Sequence, residues 1–198
     1  MAPRGPLALF LLAGAAWAMP ASAQTTTATK TMPVTGSVPQ VCALQPATLQ
    51  PGELVNINGV DGDTLRILEL TDPQTLAAKA ASATVSFAAV CNFPHRVVVE
   101  SQNNGLWPTD GRMATPGTDF ASALPYEAIV TWADTTGTLE ANAKVRALTQ
   151  TLLSVDSAAA GNLILRFKLA QGASNVADNA PVLAGVYGDT VRIYLEPR

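Results

Sequence analysis

The chain has 198 residues, a formal net charge of −3 and charged side chains at only 14% of positions. So few cations make it a poor partner for nucleic acid, whose affinity rests on neutralising phosphates. One histidine and two cysteines leave little from which to build a metal centre or a nucleophile–histidine pair.

Residues 1–23 read as a secretory signal peptide. A short charged start (Arg4) is followed by an apolar run over 7–18 and the small residues Ala21, Ser22 and Ala23. Its removal at Gln24 leaves a chain the size of one domain, one unit more acidic because Arg4 goes with it. No later run reaches the roughly 18 apolar residues of a membrane-spanning helix, so no integral membrane segment is expected. The low charge, with Thr, Ala, Ser and Asn in its place, fits an exported, strand-rich protein.

From residue 24 to 40 the chain is Thr-rich. Met32, Val34, Gly36 and Val38 share one parity and Pro33, Thr35, Ser37 and Pro39 the other, the pattern of a strand with one apolar face. Two prolines that cannot donate to a ladder suit an edge or added strand better than a central one. Cys42 and Cys91 in an exported chain read as a disulfide closing a loop of about 50 residues, worth about 4 kcal/mol in the chain-entropy model. The alternatives are a reactive thiol or a metal site, for which His95 is the only histidine available as a further ligand.

Residues 46–52 are turn-rich, and 59–63 read as a turn by composition. Asn56, Asn58, Asp61 and Asp63 resemble a calcium loop in composition but miss its spacing and its closing glutamate. Residues 64–70 predict a strand. Asp72-Pro73 then predicts a helix N-terminus, followed by about two turns over 74–81. Residues 83–91 alternate cleanly with Cys91 on the inward face, and Val97, Val98 and Val99 form the next strand. His95 between them, after Pro94, reads as a surface turn histidine.

Residues 101–123 form a long connection rich in Asn, Gly, Pro and Asp, and loops of that length are often functional. Trp107 within it is a candidate ligand contact, able to stack on a sugar ring, with Asp110, Arg112 and Asp119 nearby. Residues 124–133 alternate, 134–137 turn the chain and 145–153 suggest a strand. Residues 163–169 alternate strongly, 171–180 form a polar loop, and Val191, Ile193 and Leu195 give the last strand an apolar face. Parity puts Glu100, Glu127 and Glu196 on outward faces, no catalytic motif is present, and neither enzyme activity, cofactor nor metal is expected. Short, evenly spaced strands joined by Gly, Pro, Asn and Asp turns make an all-β sandwich with one short helix.

The chain resembles the spore coat protein U domain family and, with it, the subunits of archaic chaperone–usher pili. The likeness rests on the tail 181–195, with Ala184, Gly185, Tyr187, Asp189, Thr190 and Val191 ahead of an alternating last strand. It rests also on the alternating segment that runs into Cys42, and on Cys91 closing a strand. The resemblance implies an incomplete, immunoglobulin-like (pilin-type) sandwich over residues 41–198, short of one strand. A neighbour's extension, residues 24–40, would fill the slot as a donor strand through Met32, Val34 and Val38, with Gly36 where space is tight. The last strand (Val191, Ile193, Leu195) would be the acceptor edge, and the edge that a chaperone pairs with. The partners implied are other pilus subunits, a periplasmic chaperone and an outer-membrane usher; the location is the periplasm, then a surface fibre or coat. Two alternatives stand beside this: residues 25–40 as simply the first strand of a self-contained sandwich, or a secreted, self-complemented module that binds a sugar or a surface.

Overall fold

The computed structural model describes residues 27–50, 54–61 and 64–198. Residues 1–23, expected to be a signal sequence, and Gln24, Glu53 and Asp63 lie outside the described residues. The chain divides into two units: its leading residues through Ser37, and Val38–Arg198.

Among the described residues 27–40 no strand forms, and Met32, Val34 and Val38 are 80%, 91% and 83% exposed. The alternation in this segment therefore has no ladder to serve.

The second unit is an all-β sandwich, as the alternation predicts. One sheet takes the order β1 (Cys42–Leu44), β5 (Ala81–Cys91), β11 (Ala159–Leu169), β8 (Tyr126–Trp132) and β9 (Thr135–Ala141), with the short β2 (Thr48–Leu49) also on β5. The facing sheet is β10 (Thr149–Val155), β6 (His95–Ser101) and β13 (Val191–Pro197). Two small ribbons complete it, β3 (Ile57–Asp61) with β4 (Thr64–Ile67), and β7 (Trp107–Pro108) with β12 (Tyr187–Gly188). All the named strand pairs are antiparallel.

Period-two patterning sets the core. Val85 and Leu165 are partners across β5 and β11, and Phe167 faces Ala128 across β11 and β8. Val97 and Val99 of β6 and Leu153 and Val155 of β10 cover them from the other sheet. Cys42 and Cys91 are register partners and form the disulfide, with Cα atoms 4.2 Å apart.

Four expectations need correction. No helix forms after Asp72. Its carboxylate accepts from the amides of Gln74 and Thr75, both at 2.9 Å, and the Leu76 amide bonds the Asp72 carbonyl, completing a single turn. Leu76 at φ +58° then leaves helical geometry, and Ala77 and Ala78 turn into the core. Tertiary burial overrides local propensity here.

His95 is wholly buried rather than at the surface. Glu100 points outward by parity yet is only 8% exposed, because Arg192 and Tyr194 of the neighbouring β13 lie over it. The reversal after β8 is tighter than 134–137: Ala133 and Asp134 take φ +46° and +62°, a two-residue hairpin turn, and β9 starts at Thr135.

Candidate functional site: an open groove between the sheets

The two long sides of the sandwich are finished differently. On one, β9 and β10 close against each other, with Gly137 at the contact. A Cβ there would stand 2.5 Å from Leu153 Cδ1, so a larger residue has to displace the end of that side chain.

On the other side, β1 and β13 are neighbours without pairing. Between them lies a groove of about 660 Å³. Its floor is Val85, Phe87, Leu165 and Phe167 with Tyr126 and Ala128; its walls are Val191 and Ile193 on one flank and Leu44, Leu65 and Ile67 on the other. The lining is mostly apolar. β13 hydrogen-bonds to β6 alone among the described strands, so its outer backbone groups form a sheet edge beside the groove. Val191, Ile193 and Leu195 are half-buried, with their apolar face toward the core.

One end of the groove is a polar node. Asp189 accepts hydrogen bonds from the Ser101 hydroxyl, from Tyr126 Oη at 2.7 Å, and from the amides of Asn103, Gly105 and Thr190 at 2.9, 3.4 and 2.7 Å. Burial raises the Tyr126 phenol well above its ordinary pKa, and the negative charge of Asp189 adds to the shift. The node therefore holds a neutral phenol against a carboxylate and fixes the backbone immediately ahead of β13. In the sequence Asp189 stands out only as part of the tail; its role depends on donors more than 60 residues away in the chain.

The ribbon β3–β4 joins neither main sheet but presents Leu65 and Ile67 to the groove. Its base is tied by Asn56, which donates from Nδ2 to the carbonyls of Glu69 and Ala80 and accepts from the Glu69 amide. Asn56 is thus occupied with backbone. Among the described residues no group of three or more His, Cys, Asp or Glu is placed to hold a metal.

Trp107 is 3% exposed and packs with Ala123 and Ala143, so its ring faces are not open to a sugar. Asp110 and Arg112 pair with each other at 2.7 Å. The two amides and the side chain that Arg112 and its loop offer Asp110 lower that carboxyl below its usual range, the Arg112 backbone bond first among them. The long connection 101–123 packs at its two ends, where Ala121 bridges Val182 and Leu106 exchanges backbone bonds with Leu124, while its middle, 109–120, is largely exposed.

Among the described residues no helix is long and apolar enough to cross a membrane. No protein-family model matches the chain, and comparison with curated proteins finds no match.

Proposed function

We propose that this protein is an exported structural subunit that polymerises into a surface fibre or coat by donor-strand complementation. The observation that carries the reading is the groove: an apolar slot about 660 Å³ in volume, bordered by the unpaired edge of β13. A sheet edge and an uncovered apolar slot are both aggregation hazards, and one added strand removes both. The occupant is the leading segment of a second copy. The second half of residues 24–40 alternates, and Met32, Val34 and Val38 carry uncovered apolar side chains. Burying three of them would stabilise the joint by roughly 1.5–3 kcal/mol each before ordering costs, with ladder bonds along β13 adding about 1 kcal/mol apiece.

In this reading the role is structural rather than catalytic. A periplasmic chaperone covers β13 before assembly, an outer-membrane usher exports the subunit, and Val191, Ile193 and Leu195 are the acceptor face. The test is deletion of residues 24–40. Mature protein made without a chaperone is expected to form multimers that resist dissociation in mild denaturant, and the truncated protein to remain free of them. Resistant multimers from the truncated protein would overturn the reading.

A further inference from the structure

Asn92 stands at the turn between β5 and β6, one residue beyond the disulfide. Its side chain is exposed, yet both ends of the amide are used. Nδ2 donates to the Pro39 carbonyl at 2.8 Å, and Oδ1 accepts from the Val41 amide at 2.8 Å. The Asn92 backbone amide returns a third bond to the Val41 carbonyl at 3.2 Å. All of these partners belong to the sandwich unit.

The turn that carries Asn92 is held from beneath. Phe93 and His95 are buried, His95 Nδ1 bonds the Phe93 carbonyl at 2.8 Å, and the Trp132 indole donates to His95 Nε2 at 2.7 Å. Three residues ahead of β1 are therefore fastened to a loop that is itself anchored to β8. Ordering exposed backbone costs conformational entropy, and three local bonds to a rigid loop are what offsets it.

We propose that Asn92 is a positioning residue that fixes the root of the leading segment, Pro39–Val41, to the β5–β6 turn. The segment before it then has a rigid point of departure. The clamp stands on its own geometry; its consequence for a fibre rests on the donor-strand reading. In a chain of strand-linked subunits that root is the connection between successive sandwiches, and a fixed root makes a stiffer connection.

The test uses the mature, disulfide-bonded protein. In Asn92→Ala, amide exchange at Val41 is expected to speed up about tenfold or more, while exchange across β5 and β11 and the thermal midpoint stay as in wild type. Asn92→Asp keeps the acceptor oxygen and is expected to restore protection at Val41, which loss of a merely space-filling side chain would not predict. Asn92→Ser, too short to bridge both partners, is expected to behave like the alanine variant and serves should that one fold poorly. Unchanged exchange at Val41 in both shortened variants would overturn the proposal. Fibres of Asn92→Ala should bend more sharply in electron micrographs; fibres as straight as wild type would remove the role in the connection. Failure of wild-type protein to form fibres would count against the donor-strand reading, with the Val41 exchange still deciding the clamp.

Discussion

The hydroxyl of Tyr126, at the first residue of β8, donates to Asp189 Oδ2 at 2.7 Å, joining one sheet to the segment that leads into the edge strand of the other. The bond fixes where β13 begins, and with it the border of the groove. Tyr126→Phe is expected to cost about 1–2 kcal/mol in urea denaturation, since a charge-assisted bond is lost. Asp189→Ala strands several donors at once, and about 3 kcal/mol or more is expected.

The same pair sets an alkaline limit. The folded protein holds Tyr126 protonated at a pH where the unfolded chain, with a phenol near 10.0, gives up its proton. Its contribution is therefore full below pH 10.0 and is lost as pH rises above that value. Stability measured from neutral pH into alkali should fall from that point in wild type. In Tyr126→Phe the fall should be shallower.

Residues 41–198 alone should leave the groove uncovered and bind an apolar dye. A synthetic peptide of residues 24–40 is expected to displace the dye and to dissociate very slowly. Replacing both Val34 and Val38 in the peptide by Asp should abolish displacement, because a charge carried into that lining has no partner. In the protein, Ile193→Asp should have the same effect while secondary structure by circular dichroism stays unchanged.

His95 and Trp132 form a buried pair. An indole N–H can only donate, so His95 Nε2 accepts and Nδ1 carries the proton to the Phe93 carbonyl. His95→Ala opens space and strands the indole, and about 2–4 kcal/mol is expected. A double-mutant cycle with Trp132→Phe should return a coupling of about 1 kcal/mol; additive effects would disprove the pairing.

On the closed side, Gly137→Val must push Leu153 aside. A cost of about 1–3 kcal/mol is expected, read as a lower urea midpoint. Gly137→Val combined with Leu153→Ala should recover part of it, since the second change vacates the space that the first requires.

How much of this was legible in the sequence depended on where the determining partners lie. β8 buries one parity of residues along its length, β11 does so from Leu163 to Leu169 and β13 half-buries one parity, and that pattern is local; β5 departs from it, since Thr84 and Ser86 are buried as well. The disulfide is legible in the cysteine count together with the expected export. β9 was not read because only Leu139 and Ala141 of its seven residues are buried, and Thr, Gly and Glu fill the rest. The residues 74–81 have the composition of a helix, but their alanines are needed by the core and Leu76 breaks the turn. His95 and Glu100 were misplaced for one reason: the side chains that cover them, Trp132 in one case and Arg192 and Tyr194 in the other, are distant in the chain. The groove is of the same kind. Its floor and walls come from six strands together with the segments beside them, and an empty space has no signature in any one of them.

The placement of the disulfide has a mechanical consequence. β1 has only three residues and, among the described strands, pairs with β5 alone, so tension on the chain before it would ordinarily peel it away one bond at a time, starting from its first residue. That first residue is Cys42, and it is covalently joined to the last residue of β5. A pull arriving there passes directly into an eleven-residue strand bonded along its whole length to β11, and must shear that strand rather than unzip its neighbour.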